Sequence, residues 1–474
     1  MSLHLVVIGA GPGGYTAAVR AAQMGSRVTV VEQEHLGGVC LNWGCIPTKT
    51  LLQSTEVLSL VRRAHAFGLE LQGSVQPNLA AMRSRKEEVI SRQRKGIEQL
   101  LRKNRVRTVY GRAELKGHGK LAVHTRDGEE HLAWDGLILA TGSSPQELPG
   151  IPFDGKTFWN SNQALNLQEL PGSLLIVGGG VIGCEFAFMY HRLGVEVTVV
   201  EMMDRLLPLP GVDSDCSKLL QREMKKERIG FQLGKSVASC RAEGSGLEVE
   251  LAPAGHKEGA DKASLEALLA DRMLVCIGRR PNTAEIGLER IGVQTDERGW
   301  VIADERMRTS AANVYAIGDV LGPSRVMLAH AASAEGMVAA ESFCGADSAM
   351  DYGLIPGAIF THPEVGHVGL SEEQAKEQGW DYRADTVLYR ILGKAQASGE
   401  LAGQAKLISE KGSGRLLGVH IIGAQATELI AEAVLALKAG CRVQDVAQTI
   451  HAHPTLAEIM AEAAAKAAGR GMHS

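Results

Sequence analysis

Cys40 and Cys45 stand five positions apart in Gly37–Leu52, GGVCLNWGCIPTKTLL, and a thiol pair can carry electrons or bind a soft metal. On one regular helix their Cα atoms would lie about 8–9 Å apart, beyond the roughly 4.4–6.8 Å that a disulfide spans. Either the two cysteines are unrelated, or the backbone bends between them. Gly44 tolerates unusual φ, and Pro47 suits the first turn of a helix that Thr48–Leu60 could continue. A two-cysteine loop just ahead of a helix N-terminus favours a thiolate. Zinc fits poorly, because no second Cys or His pair stands at ligand spacing to complete a tetrahedral site, and no metal is expected.

A second candidate lies far downstream in HAHPTLAE, residues 451–458. Glu458, on the first turn of a helix, can reach back to His453, fix its tautomer and raise its basicity. Taken alone, the pair reads more simply as two surface residues beside a helix cap. The H-x-H spacing of His451 and His453 has no third ligand in view.

The elements that must position these groups announce themselves by repetition. The apolar run Leu3–Ile8 ends in Gly9, Gly11 and Gly14 at G-x-G-x-x-G spacing. A helical period then runs to about Met24, and a strand, Arg27–Val31, ends in Glu32. This is a dinucleotide fingerprint in full context, with a helix N-terminus for the pyrophosphate and a carboxylate for the ribose hydroxyls. The unit recurs as Ser173–Val177, then Gly178, Gly180 and Gly183, a helix to about Leu193, and Val195–Val200 ending in Glu201. Gly9 to Glu32 and Gly178 to Glu201 are both 23 positions. Each copy is closed by a similar strand and turn, LILATGSSP at 137–145 and MLVCIGRRP at 273–281, which implies two nucleotide-binding α/β units. Glu201 favours NAD, since a carboxylate accepts a 2′-hydroxyl and repels a 2′-phosphate; Arg205 lies close by in sequence.

The 474 residues exceed what one core can hold. Apolar residues make up 45%, charged residues 22%, and the net charge of −4 argues against nucleic acid or an anionic membrane as partner. No apolar run is long enough for a membrane span, and a strand beginning at Leu3 leaves no room for a signal segment. Eight cysteines with only one close pair suit a cytoplasmic protein better than a secreted disulfide framework. Between fingerprint and closing strand lies a long basic helix, about Asn78–Lys103, read as a solvated face. Glu129–Trp134 and Gly246–Ala252 read as meander strands, and the polar, glycine-rich stretch after Gly244 as a mobile hairpin tip. NVYAIGDV at 313–320 is a strand ending in Gly-Asp, and VMLAH at 326–330 begins an alanine-rich helix. From about Ala346 strands and helices alternate without a phosphate loop, an α+β domain.

Together these motifs (GAGPGG, GGVCLNWGCIPTKTLL, LILATGSSP, GGGVIGCE, VCIGRRPN, VYAIGD, MLAH, FTHPEVGHVG and HAHPTLAE) run from residue 9 to 458, and the chain resembles the class I pyridine nucleotide–disulfide oxidoreductases, dihydrolipoamide dehydrogenases above all. The resemblance implies two Rossmann-like domains, for FAD and NAD, and a C-terminal α+β dimerisation domain. The divisions expected are 1–149 (FAD and the redox disulfide), 150–276 (NAD), 277–346 (a central part completing the FAD site) and 347–474 (interface). It implies that Gly9, Gly11, Gly14, Glu32, Thr141, Gly142 and Asp319 hold FAD. Lys49 would lie by the isoalloxazine, paired with Glu185, and Gly178, Gly180, Gly183, Glu201 and Gly278 would serve the nicotinamide nucleotide side. Cys40 and Cys45 would form the redox disulfide, with His453 and Glu458 acting on the partner subunit's disulfide in a homodimer. Val39, Trp43 and Thr48 depart from the commoner family residues, and Trp43 between the cysteines bears on access.

The implied reaction is oxidation of protein-bound dihydrolipoamide by NAD⁺. The lipoyl group would come from the acyltransferase of a 2-oxo acid dehydrogenase complex or from the glycine cleavage system, as no lipoyl domain precedes the fold. Reduction of another disulfide or of mercuric ion is the alternative; the terminal GRGMHS has no cysteine pair for mercury, and Glu201 disfavours glutathione reduction with NADPH. A non-enzymatic flavin- or NAD-binding scaffold would predict a damaged cysteine pair or a missing His–Glu, and the sequence has neither.

Overall fold

The computed structural model describes residues 3–243, 246–255 and 265–473. The buried apolar run His4–Ile8 is the centre of a five-stranded parallel sheet. Its strand order is Val314–Ala316, Gly136–Leu139, His4–Ile8, Arg27–Glu32, Arg107–Tyr110. The second sheet repeats that order around Ser173–Val177: Phe158–Trp159, Arg272–Val275, Ser173–Val177, Glu196–Glu201, Gly230–Leu233, again all parallel. Parallel strands buried on both faces need continuous Val/Ile/Leu, which is what both central strands supply. The architecture is two Rossmann-like α/β units with a C-terminal α+β domain.

Each unit carries a three-stranded antiparallel meander, Arg112–Gly117 to Gly128–Ala133 in the first and Lys235–Glu243 to Glu266–Ala270 in the second. The hairpin tip expected over the stretch that begins at Gly244 lies partly outside the described residues. Antiparallel pairing of Ser143–Pro145 with Arg279–Pro281 joins the two closing turns. Val314–Ala316 returns the chain to the edge of the first sheet, beside Gly136–Leu139. The C-terminal domain is a five-stranded antiparallel sheet, Gly357–Ile359, Glu364–Gly369, Leu416–Gly423, Gln404–Glu410, Tyr382–Leu388, packed by helices Ala426–Lys438 and Glu458–Ala467. No helix among the described residues is long and apolar enough to cross a membrane.

Two local expectations change. The cysteine stretch is a pair of helices, Gly38–Trp43 and Cys45–Arg62, rather than a loop ahead of one. Gly44 breaks them with φ −131° and ψ −114°, and a Cβ there would lie 3.0 Å from Val39 O. The helix expected from VMLAH starts only at Ala329, because Leu328 is still extended.

Candidate active site

The break at Gly44 does what one continuous helix could not. It brings Cys40, in the first helix, within hydrogen-bonding reach of Cys45, the first residue of the second. Both are free thiols. Cys40 donates to Cys45, and that bond, with burial, pushes the Cys40 thiol far above its ordinary value. The same bond lowers Cys45 to about 7 against the opposing effect of burial, and the Lys49 ammonium one turn along adds to the lowering. The helix N-terminus contributes in the same sense.

Lys49 Nζ lies 2.9 and 2.8 Å from the two Glu185 oxygens, and 4.5 Å from the Phe360 ring centroid. Glu185 belongs to Val181–Arg192, the helix that follows the second glycine fingerprint, so this ion pair connects the two units beside the thiols. Trp43 ends the first cysteine helix and tilts against His35, ring centroids 5.8 Å apart.

The two fingerprints are built alike. A methyl on Gly14 would sit 2.0 Å from Gly9 O, and one on Gly183 1.9 Å from Gly178 O, so helix and strand meet only through glycine. A methyl on Gly11 or Gly180 would meet nothing within 4 Å, leaving the helix N-terminus open to a phosphate. Glu32 accepts the N–H of Ala10 at 2.7 Å and of Glu34 at 2.9 Å; Glu201 accepts the N–H of Gly179 at 2.6 Å and of Met203 at 2.8 Å. Burial pushes the Glu32 carboxyl upward, opposed by those donors.

One continuous cavity of about 1940 Å³ runs past these groups. Gly9, Gly11, Gly14, Glu32, Cys40, Cys45, Lys49, Thr141, Gly142 and Asp319 line it, as do Gly180, Glu185 and Gly278 from the second unit. Gly178, Gly183, Glu201, His453 and Glu458 are not part of its wall. Thr141 Oγ1 is buried in that wall without a hydrogen-bond partner. An open glycine cradle and an orphaned hydroxyl on the same cavity fit a dinucleotide in the first unit; the cradle at Gly180 fits one in the second.

His453 and Glu458 form their own pair, Nδ1 to Oε1 at 2.8 Å, with Thr455 N–H donating to Oε2 at 2.9 Å. Burial would raise the Glu458 carboxyl, but the Thr455 N–H and His453 hold it below the usual range. The His453 side chain is 75% exposed and does not line the cavity that holds the thiols of its own chain.

Sequence reasoning missed several groups here. Arg279 bonds Ser143 through Nε to Oγ at 2.5 Å and Nη2 to the carbonyl at 2.7 Å, while Ser143 Oγ donates to Asp319 Oδ2 at 2.6 Å. Glu335, 1% exposed, accepts Gly318 N–H at 2.6 Å and Tyr352 Oη–H at 2.8 Å, fixing the turn that carries Asp319. Phe360 N–H donates to Glu185 Oε1 at 3.0 Å. Ser143 and Arg279 fall within the matched closing turns, a signal that could have found them; Glu335 sits in an alanine-rich helix and left no signal.

Residues 3–336 match the family model for pyridine nucleotide-disulphide oxidoreductases, and residues 355–464 match the model of that family's dimerisation domain. The chain is 40% identical to the dihydrolipoyl dehydrogenase of Rhizobium etli, across 100% of this chain and 99% of that one. It is 41% identical to that of Thermus scotoductus, across 97% and 96%. Among solved structures, LpdA from Mycobacterium tuberculosis matches with a TM-score of 0.89 at 28% identity, covering 98% of this chain and 99% of that one. The HOCl-induced flavoprotein disulfide reductase RclA from Escherichia coli matches with a TM-score of 0.83 at 28% identity, covering the same shares. With both models placed on the folded units just described, the chain belongs to the pyridine nucleotide-disulphide oxidoreductase family.

Proposed function

We propose that this protein is a dihydrolipoyl dehydrogenase, oxidising protein-bound dihydrolipoamide to lipoamide and reducing NAD⁺ to NADH. The observation that carries the reading is the Cys40–Cys45 pair beside Lys49, on a cavity that also holds a glycine cradle from each unit. Full-length relatives named dihydrolipoyl dehydrogenase at about 40% identity support it.

In the first unit Gly9, Gly11, Gly14, Glu32, Thr141, Gly142 and Asp319 would hold FAD. When bound, FAD supplies a two-electron acceptor that can take the dithiol's electron pair and pass a hydride to NAD⁺. Gly178, Gly180, Gly183, Glu201 and Gly278 would serve NAD⁺.

The protein's own residues move the protons and open the disulfide. The partner subunit's His453, oriented by the partner's Glu458, takes the proton of one dihydrolipoyl thiol. That thiolate attacks Cys40 Sγ, the Cys40–Cys45 bond breaks, and Cys45 leaves as a thiolate stabilised by Lys49 and the helix N-terminus. The second substrate thiol attacks the substrate sulfur of the mixed disulfide, closing lipoamide and expelling Cys40, which keeps that thiol's proton. Cys40 then donates to the Cys45 thiolate, in keeping with the raised Cys40 and lowered Cys45.

The match of residues 355–464 to the family's dimerisation domain supports a homodimer, and the exposed His453, off the wall of its own chain's cavity, supports a site shared between its subunits. The lipoyl carrier would be the acyltransferase of a 2-oxo acid dehydrogenase complex or the glycine cleavage carrier protein. Free cysteines throughout the chain suit a cytoplasmic setting. The test is steady-state turnover of dihydrolipoamide with NAD⁺ and with NADP⁺, against glutathione disulfide with NADPH. Turnover with only the last pair would replace this reading with a disulfide reductase.

A further inference from the structure

The chain leaves Glu201 by a loop whose far end is fastened to another domain. Asp213, 0% exposed, precedes the helix Ser214–Lys226 of the second unit; Lys406, 4% exposed, sits on Gln404–Glu410 of the C-terminal sheet. Lys406 Nζ lies 2.8 Å from Asp213 Oδ1, 2.5 Å from Asp215 Oδ2 and 2.8 Å from Glu372 Oε2, three carboxylates for the three hydrogens of one ammonium. Asp213 Oδ2 also accepts the Glu372 N–H at 3.1 Å, and Ser371 Oγ–H donates to Pro210 O at 3.2 Å.

From this clasp the loop is tied back to the fingerprint bond by bond. Arg205 donates to Val212 O at 3.0 Å and Leu209 O at 3.2 Å. Leu207 N–H donates to Gly179 O at 2.8 Å, and Met203 N–H to Glu201 Oε1 at 2.8 Å. Leu209, Pro210 and Gly211 then form part of the cavity wall, facing His367 and Gln374 of the C-terminal domain. The first unit makes the equivalent bonds, Gly37 N–H to Ala10 O at 2.8 Å and Glu34 N–H to Glu32 Oε1 at 2.9 Å, but its loop runs straight into the helix Gly38–Trp43. Among the described residues, the second loop is held from outside its own unit and the first is not.

We propose that Asp213 and Lys406 are positioning residues for the pyridine nucleotide: the clasp between them holds the 205–213 loop, and through it Gly179 and Glu201, in the shape that binds NAD(H). The assignment rests on the functional reading above. A buried ammonium that neutralises three carboxylates cannot be removed without forcing them apart, so its loss displaces the loop rather than merely loosening the surface.

The test uses the FAD-loaded dimer with Lys406→Met, Asp213→Asn and Glu372→Gln, the last at a partly exposed position that spares the fold. Flavin content, KM for NAD⁺, kcat at saturating NAD⁺, equilibrium NADH binding by fluorescence, and hydrogen exchange across 205–217 are measured. Lys406→Met is expected to raise KM and the NADH Kd together by about tenfold with kcat nearly unchanged. Flavin content should hold and exchange in 205–217 should accelerate, with Glu372→Gln shifting the same quantities less. NADH affinity within about twofold of wild type in all the folded variants overturns the proposal, as does a loss in kcat with KM unchanged. Should the wild type fail to oxidise dihydrolipoamide, the functional reading falls, while NADH binding and exchange still decide the clasp.

Discussion

Lys49 Nζ lies 2.8 Å from Glu185 Oε2, so the helix that begins with Cys45 and the helix of the second glycine fingerprint meet at one ion pair. Glu185 is 3% exposed, and its remaining donor is the Phe360 N–H at 3.0 Å. Lys49→Met would leave that carboxylate buried with a single backbone partner. Its expected cost is about 2–4 kcal/mol, read from the denaturant midpoint, together with a fall in dihydrolipoamide turnover. Glu185→Gln should cost less, because the freed ammonium is 29% exposed and can turn to water.

The reduced dithiol should titrate in a definite direction. Cys45, lowered to about 7, is a thiolate above that pH, whereas Cys40 keeps its proton. Thiolate absorbance of the reduced protein should therefore rise as pH passes upward through 7, and Cys40→Ala, which removes the donor, should move the midpoint upward. The sign for stability follows: a depressed thiol favours the fold above the unfolded value of about 8.5, and that contribution is lost as pH falls through 7. A midpoint unchanged in Cys40→Ala would show that the hydrogen bond does not set it.

Glu458 grips His453 at 2.8 Å and is itself fixed by the Thr455 N–H. His453→Gln should lower kcat by about 10²–10⁴-fold, with Glu458→Gln falling less and shifting the pH profile. Mixed dimers separate the two possible geometries. A Cys45→Ser chain paired with a His453→Gln chain recovers one intact site if His453 serves its partner, and recovers nothing if each chain uses its own.

Glu201 points both oxygens at backbone N–H groups, and Arg205 is spent on Val212, Leu209 and Ser217 rather than left to face a 2′-phosphate. KM for NADP⁺ should exceed that for NAD⁺ by about 100-fold or more, and Glu201→Ser should narrow the gap. Equal use of both nucleotides by the wild type would remove Glu201 from this role.

What was legible in the sequence was whatever repeats or is spaced by a rule. The two fingerprints, their acids and their closing strands could be aligned by eye, and the shared strand order of the two sheets is the three-dimensional form of that repeat. The helix over Gly38–Trp43 was not legible, because six residues between glycines carry too little period to separate a turn of helix from a loop. Glu335 and the Asp213–Lys406 clasp were invisible for another reason. Asp213 and Lys406 are 193 positions apart, and nothing local marks a charged residue that burial will pair with a distant one.

In the proposed reaction electrons reach the nucleotide through Cys40 and Cys45. NADH formation from dihydrolipoamide and NAD⁺, compared between wild-type protein and Cys45→Ser at equal flavin content, tests that route. Wild type should turn over steadily, and Cys45→Ser should lose at least about a thousandfold in kcat. Turnover by Cys45→Ser at the wild-type rate would mean that the electrons take another path.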